Sequence, residues 1–288
     1  MQALSKMRLL WGRHKSNAVY YGFILAIAIG LKQHYSVAGS DALHWILGPT
    51  AGLVEILGGI PFEYEALTGY INRDVRAVIA PVCAGVNFLI MVFGMTAFQG
   101  VARLIGPGRK LAWLLGALGG AYLLTILVNA LRIMVSIYLY GVDLHGSQVT
   151  PAGLHRAAGV LIYFCALSAI YPAGGKIIAG IQTPIPARRP PDRSYRWFAM
   201  GHQGLVPLLW YTGITLVVPV LRRFEIASQS QFQNHVLTVL TGGLLVFSIF
   251  LIGQLCYHHI KACCKESWPK GRGSRLPLAG ACDQKTHP

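Results

Sequence analysis

The sequence predicts an all-α protein. It reads as a polytopic bundle of transmembrane helices with about six full spans and one re-entrant or broken segment, six to eight hydrophobic segments in all. Three observations predict it. The 288 residues are 54% hydrophobic and 12% charged, whereas soluble domains carry about 25% charged residues. Mean hydropathy is +0.50, and several apolar runs approach the ~20 residues that cross a bilayer. In lipid only helices or closed barrels satisfy every backbone group, and the alternating pattern of a barrel is absent.

The elements follow in order. Lys6, Arg8, Arg13 and Lys15 precede a first apolar run near 17–33. That run is long and lacks a small-residue cleavage site, so it reads as an anchor and not as a removable signal peptide. Segment 41–60 is apolar but interrupted by Gly48-Pro49 and carries Glu55; it is expected to be re-entrant or interfacial, with a broken helix as the alternative. Further runs cover 83–102, 111–140, 154–175, 204–221 and 236–260. Between them lie Arg103, Arg109 and Lys110, and then Lys176, Arg188, Arg189, Arg193 and Arg196. Short basic loops mark the cytoplasmic side, which accounts for the net charge of +15 better than nucleic-acid binding does. Loop 141–153 has no Lys or Arg and reads as external. On this topology both termini are cytoplasmic. Residues 182–203 form a Pro-rich basic linker that hugs anionic headgroups, and 261–288 form a disordered basic tail. Gly116-x-x-x-Gly120 is expected to let helices pack closely.

Three polar groups interrupt this apolar chain: Cys83 in Pro-Val-Cys-Ala-Gly, Arg132 with Asn129 in Asn-Ala-Leu-Arg, and His155 in His-Arg-Ala-Ala-Gly. Arg at mid-bilayer costs roughly 2.5–3.5 kcal/mol on insertion scales. The topology places Cys83 and His155 at helix starts. Arg132 comes about 12 Å below the end of a run closing at Tyr140. All three therefore fall in the extracytoplasmic half of the membrane.

Each residue has a functional and a plain reading. Cys83 is expected at a helix N-terminus, which favours a thiolate nucleophile, with Gly85 leaving room for a substrate backbone; the plain reading is a buried structural cysteine. Cys165 and Cys256 are read as such buried cysteines. Arg132 keeps its proton, and with Asn129 one turn earlier it offers donors to a developing oxyanion. The alternative is an ion pair or a lipid-phosphate contact, although no acidic residue lies in the neighbouring spans. His155, with Gly159 on the same face, can shuttle a proton between thiol and leaving amine; the plain reading is a solvated interfacial histidine, as for His14, His34, His44 and His145. No metal or other cofactor is expected, because the Cys and His spacings are not those of zinc sites. His258-His259 with Cys263-Cys264 is only superficially a metal cluster. The six cysteines form no disulfide framework, and the tail cysteines face a reducing compartment.

Cys-Ala-Gly at 83–85, Asn-x-x-Arg at 129–132 and His-x-x-x-Gly at 155–159, in this order and on separate helices, resemble the exosortase/archaeosortase family. The resemblance covers about residues 60–175, and residues 1–181 read as the catalytic membrane core, followed by C-terminal helices over 204–260. It implies an intramembrane cysteine transpeptidase or protease of the bacterial inner membrane. Its partners would be exported proteins whose C-terminal (PEP-CTERM-like) signal combines a short motif, a hydrophobic helix and a basic tail. It further implies that Cys83 is the nucleophile, Arg132 the electrostatic catalyst and His155 the acid/base. Ala84 stands where many relatives carry serine, and the compact chain resembles smaller subtypes such as exosortase K. Two other classes compete: a transporter, which calls for internal repeats and midplane polar sites, and a non-catalytic assembly factor for exported protein or polysaccharide.

Overall fold

Proline and glycine punctuate the chain into its elements. The structure, a computed structural model, describes residues 2–140, 151–181, 204–217 and parts of 236–256, with side chains from Asn17 onward except 151–154 and 156. Most of the expected external loop, the linker 182–203, the tail 261–288 and the His258-His259 pair lie outside the described residues. The chain divides into a unit over 1–251 and a second over 252–288; the following concerns the first.

Helix takes up 81% of the described residues, so the protein is predominantly helical. Helix α1 runs Gln2–Val37, α2 His44–Gly58, α3 Val86–Arg103, α4 Pro107–Tyr140 and α5 Pro151–Ile181. A further helix covers 204–212 and continues as a π-helical turn, Gly213–Val217. Pro107 and Pro151 open their helices at the position where a missing N–H costs nothing. Among the described residues, three helices are long and apolar enough to cross a membrane: Pro81–Arg103 with its preceding turn, Pro107–Tyr140 and Ala157–Ile181.

Helix α3 is the centre of the bundle, packed on α1, α4 and α5. Phe88, Phe93, Ile90, Met91 and Met95 are fully buried along it. Burial from lipid releases no water, so close van der Waals fit and small residues carry such packing. Gly94 and Gly100 show this: a Cβ at Gly94 would sit 2.6 Å from the Trp210 ring, and one at Gly100 would run into Trp113. Trp113 then donates its indole N–H to the Thr96 carbonyl at 2.9 Å. Helix α4 turns outward a row of exposed leucines at every fourth position, Leu111, Leu115, Leu123, Leu127 and Leu131, and keeps Thr125, Asn129 and Ser136 inside. Gly116 and Gly120 do not pack a neighbouring helix as expected. Among the described residues nothing lies within 4 Å of a Cβ built on either, and they line an apolar groove of about 540 Å³.

Segment 41–60 is not broken at Gly48-Pro49. Proline lacks the N–H that would bond the carbonyl four residues back, here that of Trp45. The Tyr122 hydroxyl of α4 bonds that carbonyl at 2.7 Å instead, and Trp45 stacks on the Tyr122 ring. Helix α2 therefore continues through the proline. Its 15 residues rise about 22 Å, less than the ~30 Å hydrocarbon thickness.

The second correction concerns residues 61–82, which an all-α reading leaves without structure. They form a three-stranded antiparallel sheet, β1 (Glu63–Glu65), β2 (Gly69–Asn72) and β3 (Ala77–Ile79), in the order β1-β2-β3. Asn72 makes the β2–β3 turn: its Oδ1 accepts the Val75 N–H at 2.8 Å, an Asx-type turn. Its Nδ2 donates to the Pro61 carbonyl at 2.6 Å. Gly69, at φ 118°, is required because a Cβ there would strike the Ile79 carbonyl oxygen. The sheet is tied to α2 by the Tyr70 hydroxyl and His44 Nδ1 at 3.1 Å, and the Tyr64 hydroxyl donates to Asp41.

Candidate functional site

Three elements meet at one end of the bundle: the turn entering α3, the last turns of α4 and the first turns of α5. The basic residues of the opposite end are Arg103 at the close of α3, Arg109 and Lys110 at the start of α4, and Lys176 on α5. A Cβ at Gly175 would lie 3.2 Å from Arg103 Nη1, and Lys110 donates to Asn17 of α1. The polar end carries the residues singled out in the sequence.

Cys83 does not begin the helix. It closes a 3₁₀ turn, Pro81–Cys83; Gly85 follows in the left-handed region at φ 71°, and α3 starts at Val86. The thiol is thus held ahead of the helix on a tight turn, with the Cys83 N–H bonded to the Ala80 carbonyl at 2.8 Å. Gly85 leaves no room for substrate. A Cβ there would lie 3.2 Å from both Asn129 Cγ and Thr125 Cγ2, so this glycine serves the backbone conformation and the close approach of α4.

Asn129 is fully buried and already committed. Its Nδ2 donates to the Cys83 carbonyl at 2.5 Å, and its Oδ1 accepts from the Tyr163 hydroxyl at 2.8 Å. Asn129 does not line the cavity where the sequence reading expects it as a donor; its amide holds the turn. Arg132 sends Nη1 to the Tyr163 hydroxyl at 3.3 Å and Nη2 to His155 Nε2 at 3.4 Å. Its guanidinium lies 5.3 Å from the Tyr163 ring centroid, within cation–π range. Among the described residues the single salt bridge is Arg73–Glu63 on the surface, so Arg132 has no carboxylate partner there. Its Nε is buried without a hydrogen bond to any described residue.

Guanidinium only donates, so His155 Nε2 accepts and the ring proton sits on Nδ1, which is buried without a partner among the described residues. Gly159, one turn on, makes space for the guanidinium, since a Cβ there would lie 2.9 Å from Arg132 Nε. Cys83, Arg132 and His155 line one cavity of about 520 Å³, with residues 75–79 of the sheet forming another wall. Among the described residues no hydrogen bond joins the Cys83 thiol to His155, and no cluster of His, Cys, Asp or Glu could hold a metal ion.

Two expectations fail at the other thiols. Cys165 and Cys256 are exposed, not buried; Cys165 lies on the outward face of α5. One residue at the centre of the polar cluster was missed: Tyr163. The signal was present, because His155, Gly159 and Tyr163 recur at every fourth position and therefore share a helix face. Ser136, which lines the cavity, follows Arg132 at the same spacing. Compared with protein-family models, with curated proteins and with solved structures, the chain matches none.

Proposed function

We propose that the chain is a membrane-embedded cysteine transpeptidase or peptidase of the exosortase type, acting through a thioester acyl-enzyme. The observation that carries this reading is the meeting of Cys83, Arg132 and His155, from three separate elements, around one cavity. The three short motifs in family order support it.

The chemistry runs in two steps. The Cys83 sulfur attacks the carbonyl carbon of the substrate peptide bond, and its proton passes to His155 Nε2. That lone pair becomes available once Arg132 Nη2 turns from the imidazole to the developing oxyanion, where a charged donor is strongest, while Nη1 stays on the Tyr163 hydroxyl. The tetrahedral species collapses as the C–N bond breaks, with His155 returning the proton to the leaving amine. This leaves an acyl group on Cys83, which an acceptor nucleophile or water removes. Asn129 keeps the Cys83 carbonyl, and with it the turn, in place throughout.

The substrates in this reading are exported proteins bearing a C-terminal recognition motif, a hydrophobic helix and a basic tail. The setting is the bacterial inner membrane, with both termini cytoplasmic and the cavity on the outer side. Support for the orientation comes from Arg103, Arg109, Lys110 and Lys176 at the end away from Cys83, as cytoplasmic ends are enriched in Lys and Arg. The test is Cys83→Ala. It should abolish processing while leaving the protein in the membrane at normal abundance, and mass spectrometry should find substrate thioester-linked to Cys83 in the parent. Undiminished processing by Cys83→Ala would hand the site to the assembly-factor reading.

A further inference from the structure

We propose that Tyr163 is the positioning residue of this site, coupling the Arg132 guanidinium to the Cys83 turn through one hydroxyl. This rests on the reading of Cys83 and Arg132 given above, and it adds a residue that the three motifs do not contain.

The donors and acceptors leave one arrangement. Arg132 Nη1 can only donate, so the Tyr163 oxygen accepts through a lone pair at 3.3 Å. The hydroxyl has a single proton, which goes to Asn129 Oδ1 at 2.8 Å. With its oxygen thus engaged, Asn129 presents its NH₂ to the Cys83 carbonyl at 2.5 Å. The three bonds run in one direction from guanidinium to nucleophile turn, and in a low-dielectric interior such a chain strengthens its members. The ring is held as firmly as the hydroxyl. Its centroid stacks 4.7 Å from the Phe88 ring of α3, while the Arg132 cation lies 5.3 Å off the centroid. Tyr163 is therefore fixed from α3 and α4 while standing on α5.

The consequence is mutual registration. The group that would meet the oxyanion and the backbone that carries the thiol are set by the same atom. A misplacement of about 1 Å costs on the order of 10²-fold in rate. Tyr163 itself does not line the cavity, so it acts through Arg132 and Asn129 and not on substrate.

Tyr163→Phe removes the hydroxyl and keeps the ring, its stacking and its cation contact. The full-length chain would be assayed in native membranes as parent, Tyr163→Phe, Arg132→Lys and the double variant. Two readouts are taken: processing per unit of membrane-inserted protein, and the rate of iodoacetamide labelling at Cys83, read by mass spectrometry. Tyr163→Phe should lose about tenfold or more in turnover at normal abundance, and its Cys83 labelling rate should change severalfold as the turn is released. The double variant should lose no more than Arg132→Lys alone, within about twofold, because contacting residues in one network are not additive. Losses that multiply, or a Cys83 labelling rate equal to the parent's, overturn the relay. Labelling needs no substrate, so a failed transpeptidase reading and a failed relay give different results: the first shows as processing that survives Cys83→Ala, the second as unchanged labelling.

Discussion

Two cavities of nearly equal size lie along the same helix, and they differ in what lines them. The N-terminal half of α4 borders the groove of about 540 Å³, lined by Gly116 and Gly120, with Arg109 the one charged lining residue among those described. The C-terminal half borders the cavity of about 520 Å³, where Arg132 meets Cys83 and His155. Volume does not separate them. What separates them is convergence: the second brings a thiol, an imidazole and a guanidinium from three elements, and the Asn129 amide and Tyr163 phenol hold the Cys83 carbonyl and Arg132 from behind. The groove's glycines touch nothing among the described residues, whereas the groups around the second cavity are bonded to one another at 2.5–3.4 Å.

That contrast can be broken or sharpened by substitution. The largest effect after loss of the thiol is expected at His155. With the proton carrier gone, His155→Ala should lower turnover by about 10²–10⁴, measured as processing per inserted protein; a fall below tenfold removes His155 from the acid/base role. Next comes Arg132→Lys, which retains charge but loses the planar fork and releases a strongly hydrated ammonium into the cavity. A lost oxyanion donor is worth about 10²–10³. An Arg132→Lys protein with near-normal processing would reduce the site to a Cys83–His155 dyad. A smaller loss, about tenfold, is expected from Gly159→Ala, whose methyl would lie 2.9 Å from Arg132 Nε and push the guanidinium aside. The matched change in the other cavity is Gly120→Ala. Among the described residues nothing lies within 4 Å of the new carbon, so turnover should stay within about twofold of parent. If Gly120→Ala proved as damaging as Gly159→Ala, the groove would belong to the working site after all.

The long helices were legible because their apolar runs are long: α4 and α5 contain the runs 111–140 and 154–175, and α3 covers 83–102 except its first three residues. The sheet was not, because strands of three or four residues are too short for a two-residue period to register. Gly69 and Asn72, which set the strand's ends, look like ordinary loop residues until their partners are known. The motif residues stood out as polar interruptions, but their duties were hidden. A glycine needed for positive φ and a glycine that leaves room are the same letter, so Gly85 was read as space. Asn129 was read as a free donor because the carbonyl that takes its N–H lies 46 positions away in sequence. Tyr163 was overlooked because a tyrosine in an apolar helix draws no notice; only the row His155–Gly159–Tyr163 betrays it. The outward placement of Cys165 follows from a bilayer's indifference to which apolar side chain faces it.

The leucine row of α4 has one more consequence. Four residues of an α-helix advance about 400°, some 40° past a full turn, so a row at every fourth position winds around its axis like a screw thread. From Leu111 to Leu131 it turns through about 200°. The side of α4 that meets acyl chains near Arg109 is thus almost opposite to the side that meets them near Arg132. One helix serves as the outer boundary of the protein along its whole length and still turns a different flank inward at each depth. A single charged residue introduced at Leu115 and the same residue at Leu131 would look toward different neighbours and a different leaflet.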